Sequence, residues 1–195
     1  MLKTLFTLIL ALPLATQAGT VFSDGFESPD ATGLNVVPSG WTITNGGTVD
    51  IIGFGCHSGI QCVDLDGSSG LAGVLTHTFN ATLGVNYNLS FWLTGSQRGD
   101  VNTVDILLGS APLTVSSIAS NASATEYNLN WTATATGVAS FSFHNLGGDN
   151  VGAILDDVVL STSDSTVPEP ATFVLLGAGL AVMVALRRRM TALRA

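Results

Sequence analysis

Tyr87, Leu89, Phe91 and Leu93 alternate without a break with Asn88, Ser90, Trp92 and Thr94, a period of two that suits a half-buried β-strand and no helix. The pattern recurs where Tyr127, Leu129 and Trp131 alternate with Asn128, Asn130 and Thr132, and where Phe141 and Phe143 alternate with Ser140, Ser142 and His144. The first set in each run reads as core and the second as the opposite face. Of the 22 glycines, 20 lie between residues 19 and 160, where they break the chain into short runs with no sustained helical period. The predicted strands cover 21–27, 41–52, 62–66, 73–81, 86–94, 103–108, 113–118, 126–135, 139–145 and 153–160. Strands at this spacing predict an all-β fold, a jelly-roll β-sandwich formed by residues 19–160 and followed by a polar stalk at 161–167.

The two ends have a different composition. Residues 1–18 carry Lys3, an apolar run from Leu5 to Leu14 and the small-residue site Thr16-Gln17-Ala18, the order of a secretory signal peptide cleaved after Ala18. An uncleaved anchor is the competing reading, but so short an apolar run does not span a bilayer core of about 30 Å. At the other end, residues 168–195 comprise Pro168-Glu169-Pro170, an apolar stretch from Ala171 to Leu186 and the cluster Arg187-Arg188-Arg189. That stretch is predicted to be a short transmembrane helix whose arginines snorkel to the cytoplasmic side, placing the sandwich outside. A basic tail is not the ending of a GPI signal. The two prolines keep the backbone before the helix extended and open to a protease.

The order Val167-Pro168-Glu169-Pro170-Ala171, glycine-containing apolar stretch and arginine cluster resembles the PEP-CTERM sorting signal of Gram-negative bacteria. The resemblance implies two processing partners, a signal peptidase and an exosortase, the latter a membrane protease-transpeptidase cutting near Pro-Glu-Pro. It also implies an inner-membrane-anchored precursor that ends at the cell surface or in the extracellular matrix. A plain single-span anchor with a proline-containing stalk is the alternative.

Charge sharpens the picture. The whole chain has a net charge of -8, but residues 19–167 hold 13 of the 14 acids and a single base, Arg98, so the body alone is at 1 - 13 = -12. Clustered Lys and Arg are what phosphate neutralisation needs, and nucleic acid is excluded as a partner. Cys56 and Cys62 enclose residues 57–61, and in an exported chain they predict a disulfide, in preference to a Cys-His nucleophile or a metal pair. There is no Gly-x-Ser-x-Gly elbow, no His-Glu-x-x-His and no phosphate loop, so the expectation is a non-enzyme. A glycosidase with two acids on separate strands is the residual catalytic reading. Asp64-Leu65-Asp66-Gly67 begins like an EF-hand loop, but Leu75 stands where the bidentate Glu belongs.

Asp24-Gly25-Phe26-Glu27, Gly40-Trp41, Val49-Asp50, Val63-Asp64-Leu65-Asp66-Gly67, Tyr87 to Leu93 and Ile154-Leu155-Asp156-Asp157-Val158 occur in an order similar to that of choice-of-anchor and DUF642-like extracellular domains. The resemblance implies a galactose-binding-domain-like jelly roll with first and last strands adjacent. In related carbohydrate-binding modules it further implies a structural calcium at that junction, with Glu27 and Asp156 as ligands and Asp24 and Asp157 as neighbours. Asp156 and Asp157 point to opposite faces of a regular strand, and only a bulge would bring both to one site. For ligand binding, parity singles out Trp92, beside Asn88, Ser90 and Thr94, together with His144. An indole flanked by small hydrogen-bonding groups is what a sugar face stacks on, so polysaccharide is the expected ligand class. The competing readings are that Trp92 faces the second layer or a covering loop, since a jelly roll has two sheets, and that the domain is a structural matrix or adhesin subunit.

Overall fold

The computed structural model describes residues 16–166, together with 177 and 179–181. The chain divides into two compact units, Ala18–Asp164 and a second formed by its two terminal stretches.

Among the described residues, twelve strands build the first unit: β1 (Thr16–Asp24), β2 (Gly33–Val36), β3 (Thr42–Ile43), β4 (Val49–Ile52), β5 (Cys62–Asp64), β6 (Val74–Ala81), β7 (Asn86–Thr94), β8 (Asn102–Leu108), β9 (Ala111–Ile118), β10 (Thr125–Thr132), β11 (Gly137–Asn145) and β12 (Ile154–Thr166). A seven-stranded sheet runs β10-β7-β12-β5-β4-β2, with β1 also paired to β12; a five-stranded sheet runs β3-β6-β11-β8-β9. First and last strands are therefore adjacent, as the jelly-roll reading requires. Between the sheets lie the residues that parity marks as core: Leu89, Phe91 and Leu93 from one sheet face Phe141 and Phe143 from the other, all at most 2% exposed. Phe91 meets Phe143 edge-on, with ring centroids 4.9 Å apart, a favoured aromatic geometry.

Three differences from the sequence expectation have local causes. The strand expected at 41–52 is split, because Asn45 Oδ1 accepts hydrogen bonds from the N–H groups of Gly47 and Val74 and turns the chain at Gly46, whose φ is 76°. β3 then joins one sheet and β4 the other. β2 lies outside the predicted strands because it is a short edge strand without alternation, its Leu34 being 66% exposed. Residues 161–166, expected as a stalk, continue β12, where Ser161 pairs with Asn88 and Thr162 with Tyr87. Ser161 and Ser163 donate to the backbone carbonyls of Asn88 and Asn86 on β7, so this stretch is paired rather than a free linker.

Residues 16–18 of the expected signal peptide open β1, and the rest of it lies outside the described residues. Pro168, Glu169, Pro170, Arg187, Arg188 and Arg189 lie outside them too. Gly177, Gly179, Leu180 and Ala181 are helical, and among the described residues no helix is long and apolar enough to cross a membrane.

Candidate functional site

The outer face of the seven-stranded sheet is read from its register. On β7 the outward side chains are Asn86, Asn88, Ser90 and Trp92; opposite them on β10 are Thr132, Asn130, Asn128 and Glu126. On the other flank β12 places Ser161 beside Asn88, Val159 beside Ser90 and Asp156 beside Trp92. Cross-strand hydrogen bonds tie this surface together, Asn88 Nδ2 donating to Asn130 Oδ1 at 3.1 Å and Asn86 Nδ2 to Thr132 Oγ1 at 3.2 Å. Trp92 is half-buried at the head of this polar ladder, as the parity of β7 predicts. Thr94, expected beside it, is instead 6% exposed.

Thr94 is covered because loop 53–61 folds back over the next row of the same face. Ile52, Cys62 and Ile154 form a second small apolar cluster there, with Cys56 packed on it. Gly55 lies so close to Ile154 that a Cβ would meet its Cδ1 at 2.5 Å, and its φ of 72° also favours glycine. The expected disulfide between Cys56 and Cys62 closes the loop, with Cα atoms 5.3 Å apart. The loop then lays the His57 imidazole flat on Trp92, with ring centroids 3.5 Å apart and planes 7° from parallel.

All four acids singled out in the sequence lie at the meeting of β1, β12 and this loop. Asp156 is fully buried, and its Oδ2 accepts the N–H groups of His57 at 2.8 Å and Ser58 at 3.0 Å. Glu27 Oε1 accepts those of Ile60 at 2.7 Å and Gln61 at 2.9 Å. The bulge that would bring both aspartates to one place is present. The pairing of β12 with β7 shifts between Asp156 and Val159, Asp157 has a φ of 46°, and its Oδ2 lies 3.9 Å from His57 Nε2. Asp24 serves the core side, accepting the N–H of Phe26 and the indole N–H of Trp41, both at 2.7 Å. Burial raises the Asp156 carboxyl above the usual carboxylate range, with its amide donors opposing.

As a calcium site this arrangement has a particular chemistry. The loop presents amide hydrogens to Glu27 and Asp156, whereas calcium needs six to eight oxygens. Among the described residues no three His, Cys, Asp or Glu side chains are gathered in a group able to hold a metal.

The single base of the body lies on the same face. Arg98 pairs with Asp64, which is 1% exposed and also accepts the N–H groups of Asp66 and Gly152. Burial pushes Asp64 up to about 7 despite those donors and the guanidinium. His144 is elsewhere, on β11 of the five-stranded sheet, opposite Asp105 of β8. It lines a groove of about 340 Å³ with Asp105, Leu107, Pro112 and Thr114. The structure thus does not bring His144 and Trp92 together, because parity within a strand says nothing of which sheet the strand joins. Trp131, expected in the core, is partly buried and packs against it, touching the rings of Phe79 and Tyr87, and it also lines a groove of about 360 Å³. Its ring lies against Gly109, where a Cβ would clash, and its N–H donates to Ser110 Oγ. No local signal in the sequence marks His57: its place over Trp92 comes from how the loop is anchored.

Residues 166–189 match the family model of the PEP-CTERM protein-sorting motif. No curated protein matches the chain. Among solved structures, the chain is similar to the CBM22-1 xylan-binding domain of Paenibacillus barcinonensis Xyn10C, at 12% identity over 77% of this chain and 99% of that one, with a TM-score of 0.56. The CBM22-2 xylan-binding domain of the same protein gives 12% identity, 73% and 99% coverage and a TM-score of 0.51. The C-terminal family 22 carbohydrate binding module of Clostridium thermocellum Xyn10B gives 13% identity, 77% and 97% coverage and a TM-score of 0.52. At such identities the likeness establishes the fold, an all-β sandwich of the carbohydrate-binding-module type.

Proposed function

We propose that this chain is an exported, non-catalytic β-sandwich protein that an exosortase-type system sorts to the cell surface or extracellular matrix, where the Trp92 face binds polysaccharide. The sorting half is supported by the motif at residues 166–189. The binding half rests on one observation: a half-buried indole, one face of which the His57 imidazole of the loop already covers, stands at the head of a ladder of Asn, Ser and Thr side chains. A rigid aromatic shelf beside amide and hydroxyl groups stacks a sugar ring and hydrogen-bonds its hydroxyls. The similar solved domains bind xylan by name, which makes a xylan-type chain the first probe. The body is read as one of the choice-of-anchor and DUF642-like domains on the strength of its ordered sequence patterns, and that reading is independent of the ligand.

The test is affinity electrophoresis of the full-length protein in gels containing soluble xylan or exopolysaccharide from a producing strain. Retardation lost in Trp92→Ala, with the melting temperature kept, supports binding at this face. Equal mobility of wild type and variant in every gel overturns it and leaves a structural matrix or adhesin subunit. Intact-mass analysis of the surface fraction tests the sorting, since a surface species that keeps Arg187 to Arg189 contradicts processing.

A calcium ion between Glu27 and Asp156 is a second proposal, carried by the convergence on one loop of these two carboxylates, one from the segment after β1 and one from β12. Backbone and water oxygens would have to complete its shell. A melting temperature that falls on chelation and recovers with calcium supports the ion; indifference to chelator leaves the amide donors as the only partners of the two acids.

A further inference from the structure

The charge pattern around Trp92 discriminates between kinds of polysaccharide. Glu126 of β10 stands directly opposite Trp92 and is exposed. On the other flank Asp156 pairs with Trp92, and the partly exposed Asp157 lies beside the His57 that covers it. Neighbouring strands are about 4.8 Å apart, so these carboxylates lie within a Debye length of about 10 Å of anything stacked on the indole. The rest of the ladder, Asn86, Asn88, Ser90, Asn128, Asn130 and Ser161, is uncharged.

An anionic sugar would need a cation here. The only Lys or Arg between residues 19 and 167 is Arg98, and its guanidinium is already paired with the buried Asp64, while the His57 imidazole on Trp92 already faces Asp157. Above the Asp64 titration near pH 7, drawing Arg98 away would leave a buried carboxylate unpaired, a cost well above that of a surface ion pair. Nor does the wider field help, because the body carries a net charge of -12, from 13 acids and one base. A uronate or sulfate group would meet like charge both at long range and at contact, and such juxtaposition opposes binding strongly. Amides and hydroxyls, by contrast, donate and accept equally, as the hydroxyls of a neutral sugar require.

We propose that the Trp92 face takes uncharged polysaccharide, laid along the β7 ladder of about 20 Å, and excludes chains bearing uronate or sulfate. This rests on the polysaccharide-binding reading above and names the substrate class of the same site.

The experiment is calorimetric titration of the full-length protein with three matched oligosaccharides: neutral xylo-oligosaccharide, oligogalacturonate and chitosan oligomer, each at low and high salt. The expected result is binding of the neutral chain that salt leaves unchanged, at least about tenfold tighter than oligogalacturonate at low salt, with that gap narrowing as salt rises. Glu126→Lys, on an exposed edge strand, should shrink the neutral-over-anionic preference by about threefold at low salt. Tighter binding of oligogalacturonate than of the neutral chain overturns the inference. So does a preference for the cationic oligomer that high salt abolishes, or a neutral-over-anionic ratio indifferent to both salt and Glu126→Lys. If none of the three binds, the polysaccharide-binding reading itself falls, and the inference falls with it.

Discussion

The imidazole of His57 lies flat on the indole of Trp92, 3.5 Å away and 7° from parallel, although 35 positions separate the two residues in the chain. Stacking of this kind contributes about 0.5–1.5 kcal/mol beyond simple burial. His57→Ala should therefore lower stability by about 1 kcal/mol and red-shift the Trp92 emission, because the indole loses its cover. Unchanged emission in a Trp41→Phe, Trp131→Phe background would show that the ring is not covered in solution.

The disulfide is what keeps that cover in place. Cys56 and Cys62 are separated by six positions, and closing so short a loop contributes about 2 kcal/mol by chain entropy. Replacing both with Ser should lower stability by about that amount and reproduce the emission shift of His57→Ala. Denaturant melts of wild type with and without reductant measure the same quantity without mutation.

Asp156 anchors the loop from below. Asp156→Ala leaves the N–H groups of His57 and Ser58 without their acceptor, which should cost about 1–3 kcal/mol. Asp156→Asn keeps an acceptor oxygen and should recover part of the loss. Hydrogen exchange at those two amides reads the effect directly: fast exchange already in the wild type would contradict the anchoring.

Stability should fall as the pH rises towards neutrality. The Asp64 carboxyl titrates near 7 when folded, against a reference value of 3.8, with burial as the main cause. The folded state therefore holds a proton that the unfolded chain releases, and unfolding free energy decreases with pH between those two values. Asp66 and Asp156 are raised by burial as well and push in the same direction. Denaturation midpoints across that window should show a negative slope worth a few kcal/mol in total, and Asp64→Asn should flatten it. A midpoint that rises through the window would show these acids ionised in the folded protein.

Strand β7 is legible from residues 86–94 alone, since strict alternation is a local property and its period matches only a pleated strand. The same alternation puts Trp92 outside the core. It does not reveal what covers Trp92, because the position of His57 depends on Asp156 and Glu27 holding a loop 99 and 33 positions away from them. Nor does it separate Trp92 from His144, which share a parity and not a sheet. From sequence the bulge at Asp157 is only a condition for joining two acids, and the registers of β7 and β12 supply it.

Local order in the sequence determined the all-β class, the inward and outward faces of the long strands, the sorting motif and the acidic, nearly base-free surface, because periodicity, composition and short motifs are properties of neighbouring residues. Tertiary structure alone decided which faces share a sheet, that the body's one base is already taken by Asp64, and that a disulfide-closed loop stacks His57 on Trp92. Those outcomes come from pairings between distant segments, whose geometry is set by the packed sandwich as a whole.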